Sequence, residues 1–242
     1  MKKQLGFSLS EVLISLFLAS IITTILMQFY LSTKHQYVEA QEILSRNLDL
    51  RWTADLISDS IRRAGFTPCL NIDRLFSSDQ RKNGAIIHAL IIKNKPEQSI
   101  QIHRMHERFA QVEKIHRRTQ IRVSDKVVFN EKRPLLIADC EHAEVQKIFS
   151  IEYYEGSQLI TLDTPLQFSY GTSVYIGEFV EEQWFIKEKK LHYRSIHTEE
   201  LTPLIHSLSA HEHRVHGRQF IEINLGLAEE KVRKLKVAVR GL

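Results

Sequence analysis

The chain is poor in anything that belongs to an enzyme. Its 242 residues contain no glycine-rich phosphate loop, no G-x-S-x-G elbow and no H-E-x-x-H helix, so nothing points to phosphoryl transfer, an α/β-hydrolase nucleophile or zinc-dependent hydrolysis. The expectation is a protein with no catalytic activity and no cofactor. A Ser-His-Asp site is the one catalytic arrangement left open, because its members need not be neighbours in sequence. Cysteine is scarce, with only Cys69 and Cys140, and neither follows an apolar run closely enough for a lipoprotein anchor. Internal repeats and long low-complexity tracts are absent. A content of 43% hydrophobic and 26% charged residues excludes a disordered chain and leaves room for one sizeable globular domain. Neither sign of charge dominates: 33 Lys and Arg against 29 Asp and Glu leave +4, too even for a globally cationic nucleic-acid binder.

What the chain does have is concentrated at its start. From Phe7 to Leu31 it reads FSLSEVLISLFLASIITTILMQFYL, about 25 residues, enough for a helix to cross a hydrocarbon core of about 30 Å. The single formal charge in that run is Glu11. An acid at a bilayer centre costs roughly 2.5–3.5 kcal/mol on insertion scales, so a carboxylate kept here implies a function. Lys2 and Lys3 precede the run with no acid among them, which holds the N-terminus in the cytoplasm and sends the rest across. No small-residue cleavage site of the A-x-A kind stands near Leu31 to Lys34, as an ordinary signal peptide requires.

A short basic leader ending in Gly6, then Phe7, then an acid at Glu11 and an apolar continuation resembles a type IV prepilin. The resemblance implies cleavage between Gly6 and Phe7 by the prepilin peptidase and N-methylation of Phe7. It also implies that Glu11, fifth residue of the mature chain, pairs with the terminal ammonium of a neighbouring subunit. Removal of Lys2 and Lys3 lowers the net charge by two. Residues 49–69, DLRWTADLISDSIRRAGFTPC, and residues 136–145, LIADCEHAEV, resemble the minor pilins of the PilW group and, more distantly, the J-type minor pseudopilins of type II secretion. The implied function is a structural subunit that primes or caps a pilus involved in adhesion or twitching. Its implied partners are other minor and major pilins, the prepilin peptidase, the inner-membrane assembly platform and, before assembly, membrane lipid. The implied location is single-pass in the inner membrane with a periplasmic head, and on the cell surface after assembly. The alternative from another class is a signal-anchored periplasmic binding protein for DNA or metal, which keeps an uncut N-terminus.

The apolar pattern continues past the membrane run. Ala40, Leu44, Leu48 and Trp52 recur every four residues, and Ile57, Ile61 and Ala64 resume the spacing. Gly65 suits a left-handed C-cap, Arg62 and Arg63 complement the helix dipole, and Pro68 follows. One helix from 7 to 64 is therefore predicted, about 87 Å long at 1.5 Å per residue. The domain expectation is a leader at 1–6, a membrane or filament-core helix at 7–31, its amphipathic continuation at 32–64 and a β-rich head at 65–242. Cys69 and Cys140 fall on the translocated side, and their even count favours one disulfide closing a loop of about 72 residues, worth about 4 kcal/mol in the chain-entropy model.

After Cys69 the period shortens to that of strands. Candidates are Ala85 to Lys93, Ser99 to His103, Pro134 to Ala138, Val145 to Glu152, Gln158 to Leu162, Ser173 to Phe179, Gln183 to Lys187, Lys190 to Arg194, Arg218 to Leu225 and Arg233 to Val239. Asn71 to Gly84 reads as a surface connection, and Ser195 to Gly217 as a loop with a helical turn near Glu199 to Leu201. With the helix supplying one face of the core, the fold class is α+β with an antiparallel sheet.

Two surface features carry narrower expectations. His206, His211, His213 and His216 cluster within eleven positions, and H-x-H at His211 and His213 would share a face if strand-borne. Solvated loop histidines are the expected reading, with a metal site as the alternative. Arg104, Arg108, Lys114, Arg117, Arg118 and Arg122 stand against only Glu107 and Glu113. An exposed hairpin or a contact for an acidic pilin is expected there, with nucleic-acid phosphate as the alternative.

Overall fold

A computed structural model describes residues 8–215, 218–228 and 231–239. The predicted cleavage junction at Gly6 and Phe7 and the metal candidate His216 lie outside them. The chain divides into two units, Met1–Arg51 and Trp52–Leu242, and helix α1, Leu9–Arg62, runs through the boundary.

In the first unit α1 stands as a single helix whose most apolar 18-residue stretch has a mean hydropathy of 2.2 and is fully exposed. It is long and apolar enough to cross a membrane. Of the stripe read from the sequence, Leu44, Leu48 and Trp52 are all more than half exposed, and the helix packs on the sheet of the second unit through its C-terminal end. Burial begins at Thr53 and continues through Ala54, Ile57, Ser60 and Ile61. Periodicity identifies which face of a helix is apolar; it does not say what covers that face.

The helix stops as its sequence predicts. Gly65 adopts φ +70°, and its N–H donates to the carbonyl of His103 at 2.8 Å. A Cβ at this position would collide with the Asn71 carboxamide and lie 2.6 Å from the Cβ of Ala89, so both conformation and space demand glycine.

The second unit is built on a large, mostly antiparallel sheet. Its strands are β1 (Phe76–Asp79), β2 (Leu90–Lys93), β3 (Ser99–Arg117), β4 (Gln120–Ser124), β5 (Leu135–Ala138), β6 (His142–Gln146), β7 (Ile148–Tyr154), β8 (Ser157–Leu162), β9 (Tyr175–Lys187), β10 (Lys190–Arg194) and β11 (Thr198–Thr202). Among the described residues the path runs β1-β6-β5-β9-β3-β4-β8-β7; β2 joins on β3, and β10 joins on β9 and carries β11. Among the described residues only β1 and β6 pair in parallel. A second sheet of β12 (Ile205–Val215), β13 (Arg218–Leu227) and β14 (Val232–Ala238) is antiparallel throughout.

The core lies on both sides of β5. Leu135 and Ile137 pack with Ile121, Val123, Ile160 and Ile176, while Leu136 and Ala138 pack with Met105, Ala143 and Val145 on the opposite face. A four-residue strand of Leu-Leu-Ile-Ala with no polar alternation is what burial on two faces requires.

Several expectations are corrected. Within the segment read as a loop at 195–217, the described residues 195–215 are not a loop with a helical turn: Thr198–Thr202 pairs with β10, and Ile205–Val215 pairs with β13. A register shift between Ile205 and Ser207 interrupts the two-residue period, and histidines take the outward positions, so the alternation of buried Leu208 and Ala210 is hidden. Asn71 to Gly84 is not merely a surface connection. It holds two short 3-10 turns and β1, with Ser78 and Asp79 buried, because Arg81 neutralises the aspartate. Residues 85–89 stay outside β2: the N–H and C=O of Ile87 both bond to the Ser77 hydroxyl at 3.1 Å instead of to a strand. The segment read as 145–152 is broken into β6 and β7. The candidates at 173–179 and 183–187 are one strand, β9, and the 99–103 candidate extends to Arg117 through a bulge between Met105 and Phe109. Strand β4 had no counterpart in the sequence reading.

Candidate functional site

At the start of α1 the geometry follows from Ser8 and Glu11. Ser8 is the residue before the helix, and Glu11 is the acid of its first turn. The Ser8 N–H donates to Glu11 Oε2 at 3.0 Å, half of the reciprocal arrangement of a capping box. Glu11 therefore satisfies a helix-end donor immediately after position 7, and the negative charge sits at the positive end of the dipole. The carboxylate is exposed and leaves one oxygen with no partner among the described residues.

The hydroxyls within the apolar run are satisfied internally. Ser15 donates to the carbonyl of Val12 (2.9 Å), Ser20 to Phe17 (2.7 Å), Thr23 to Ala19 (2.7 Å) and Thr24 to Ser20 (2.8 Å). Each removes a donor that would be costly in hydrocarbon. With these hydroxyls satisfied, Glu11 is the one formally charged side chain of the segment.

Beyond the helix, Cys69 is joined to Cys140 by a disulfide with Cα atoms 5.3 Å apart. Cys140 lies in the turn between β5 and β6. Asp139 holds that turn: its Oδ1 accepts from the N–H groups of Glu141 (2.8 Å) and His142 (2.6 Å), and its Oδ2 from that of Gly171 (3.1 Å). Burial pushes the Asp139 carboxyl up, but these three donors together outweigh it and draw it below its ordinary range.

Two ionic clusters, neither legible in the sequence, fix the end of α1 and the central strands. In the first, Arg104 is buried on β3 and donates from Nη2 to Glu182 Oε1 on β9 at 2.8 Å; Ser60 of α1 donates to the other carboxylate oxygen. Arg104 also reaches Glu107 at 2.7 Å, and Arg63 bonds both Glu107 (2.8 Å) and Asp59. Burial raises the Glu107 carboxyl, yet its own backbone N–H and the two guanidinium groups bring it down to about 2. In the second, Arg81 bridges buried Asp79 and Glu181, each at 2.7 Å, and lies 5.0 Å over the ring of Phe179. His103 stacks on the same ring, with Nδ1 2.7 Å from the carbonyl of His88. Burial lowers its pKa despite that bond.

The structure thus takes Arg104 out of the expected basic patch, since it is buried and neutralised. Arg108, Lys114, Arg117 and Arg118 are exposed on the β3–β4 hairpin, with Arg118 donating to the carbonyl of Gln167 at 3.1 Å. Arg122 is half-buried opposite Lys114. The histidine cluster is dispersed. His211 and His213 share the outer face of β12, where a carboxylate oxygen of Glu222 lies 3.8 Å from His213 Nε2, and His206 bonds the carbonyl of Pro203. Among the described residues no three His, Cys, Asp or Glu side chains are grouped to hold a metal ion.

Comparison with known proteins concentrates on the same end of the chain. No curated protein and no solved structure matches it. Residues 1–27 match the prokaryotic N-terminal methylation motif, which covers Gly6, Phe7 and Glu11 and the first part of the exposed apolar helix. The chain therefore carries the N-terminal signature of a type IV pilin-like prepilin, on a helix that fits an inner-membrane anchor and a head of α+β architecture.

Proposed function

We propose that the protein is a minor type IV pilin of the PilW kind, cut between Gly6 and Phe7, N-methylated on Phe7 and held in the inner membrane with its head in the periplasm until it enters a filament. The observation that carries this reading is the methylation motif at residues 1–27, joined to an apolar helix whose one acid, Glu11, is placed at the helix start. Cleavage before the apolar run removes the leader and keeps the anchor. The new ammonium at position 7 then lies one residue from the N–H that Glu11 accepts. In the filament a neighbouring subunit's ammonium takes the free carboxylate oxygen, and the cost of an unpaired buried charge makes that contact a register check. A J-type pseudopilin shares every one of these features and is separated from this reading by phenotype: loss of surface pili and twitching here, retention of exoproteins in the periplasm there.

The test is mass spectrometry of the mature N-terminus from cells, with filament recovery for Glu11→Ala. The expected result is a chain beginning with methylated Phe7, and a variant that is processed but poorly incorporated. An uncut N-terminus would instead mark a signal-anchored binding protein.

A further inference from the structure

Strand β3 loses its register with β9 at one place. Met105 pairs with Phe179 and Phe109 with Gly177, so His106, Glu107 and Arg108 together stand opposite the single residue Glu178. Residues of a bulge leave the ladder, and their side chains are re-aimed. Glu107 is taken up by Arg63 and Arg104. His106 and Arg108 instead line a cleft of about 420 Å³, whose other walls are Glu178 and the connection between β4 and β5.

The polar groups left over in this cleft are mostly donors. The Arg108 N–H donates to His106 Nδ1 at 3.0 Å, so the neutral imidazole carries its proton on Nε2 and offers it outward. Asn130 Oδ1 accepts from the N–H of Lys132 at 3.0 Å, which leaves its amide NH2 unused among the described residues. Arg133 spends Nη1 on Glu178 Oε2 at 2.7 Å. Glu178 is the one acid among the described residues that line the cleft, and this bond neutralises it. Arg108 is exposed and its guanidinium has no partner among the described residues. Two arginines against one carboxylate therefore leave the lining at +1 with His106 neutral.

The rest of the wall is apolar. Phe129, 3% exposed, is fixed in the core, and Val128 beside it is 73% exposed. Val127 completes this side.

We infer that this cleft binds a small monocarboxylate with an apolar body. The carboxylate takes the Arg108 guanidinium, with His106 Nε2–H and the Asn130 amide as further donors, and the body lies against Val127 and Val128. One negative charge matches the charge of the lining; a phosphate monoester, at roughly −1.5 to −2 near neutral pH, exceeds it. An amine meets one acidic group, already held by Arg133. The volume falls in the range of roughly 300–1,000 Å³ in which small organic molecules bind. The inference does not depend on the N-terminal motif or on filament assembly.

The experiment is a fluorine NMR titration of the full chain in detergent with para-fluorophenylacetate, with para-fluorophenethylamine as the control of opposite charge and empty micelles as the blank. The acid should bind saturably, at least about tenfold tighter than the amine. Arg108→Gln, at an exposed position without a partner, should keep the parent's Tm and weaken the acid about tenfold or more, as expected for a charge-assisted bond. Val128→Ser should weaken it about 2- to 5-fold through lost apolar contact. Arg117→Gln removes a cation of the same strand that does not line the cleft, and should leave binding unchanged. Equal affinity for acid and amine overturns the proposal, as does parent-like binding by Arg108→Gln. An equal loss in Arg117→Gln overturns it in favour of a diffuse charge effect. Inorganic phosphate that competes as tightly as the acid overturns the monocarboxylate assignment.

Discussion

Removing Glu182 should be among the most damaging single changes in the head. Glu182 is 4% exposed, Arg104 6% and Ser60 4%, and the carboxylate receives two donors from Arg104, at 2.8 and 3.2 Å, in addition to the Ser60 hydroxyl. Glu182→Leu leaves a guanidinium buried with one remaining carboxylate, the half-exposed Glu107, and leaves a serine hydroxyl on the helix without its acceptor. Breaking a buried pair from one side typically costs about 3–5 kcal/mol. For a domain of this size, at about 2–4 °C per kcal/mol, that is a fall in Tm of about 6–20 °C. The natural probe is Trp184, two residues along β9 and 2% exposed, whose fluorescence reports the loss of this part of the core during heating of the full chain in detergent. The double variant Arg104→Met with Glu182→Leu removes both charges and should recover most of the loss, because the penalty is the stranded charge and not the absence of the pair. A Tm change of under about 2 °C in the single variant, or a double variant less stable than the single one, would refute the assignment of this cluster as the point at which the helix end is registered on the sheet.

Three further outcomes follow from the same structure. Gly65→Ala is expected to cost at least about 1–3 kcal/mol from the positive φ alone, with steric overlap against Asn71 in addition, and a variant as stable as the parent by thermal denaturation would contradict it. Cys69→Ala with Cys140→Ala should lower stability by about 2–4 kcal/mol, read from denaturation midpoints in oxidising buffer, and the difference from the parent should vanish when both are reduced. Acid should destabilise the head in two stages. His103 is harder to protonate folded than unfolded, so its contribution is lost as pH falls below 6.5; Glu107 is depressed from 4.5 to about 2, so its contribution is complete above 4.5 and is lost as pH falls toward 2. After discounting for solvent around Glu107 the second stage is worth about 1 kcal/mol. Glu107→Gln should flatten the Tm profile below pH 4.5, and an unchanged profile would count against it.

How far the sequence could be read depended on whether one segment contained its own explanation. The start of the chain did: leader, apolar run and lone acid are local, and the helix end at Gly65 is marked by its cap, its arginines and Pro68 within a few positions. The class of the head was also legible, since Leu135 to Ala138 and Phe220 to Asn224 carry the period or the apolar run of strands. The paired arginines were not. Arg104 reads as one more cation in a basic stretch, and only the arrival of Glu182 from 78 residues away makes it a buried partner. Strands β11 and β12 were hidden because a register shift and outward histidines removed the period.

The disulfide also determines where force travels. Cys69 is four residues past the glycine that ends α1, and Cys140 sits in the turn of the β5–β6 hairpin, towards the β1 end of the sheet. A pull on the helix therefore enters the head at the β5–β6 turn through a covalent link. The segment between them, a sequence separation of 71 that includes β1 to β5, is a side loop that bears no tension. While the bond is intact that segment cannot be drawn out between the two cysteines; once it is reduced, the same pull can extend the chain by roughly 240 Å, at about 3.4 Å per residue. The cross-link thus acts as a mechanical shunt, shielding a large share of the sheet from loads applied along the anchor.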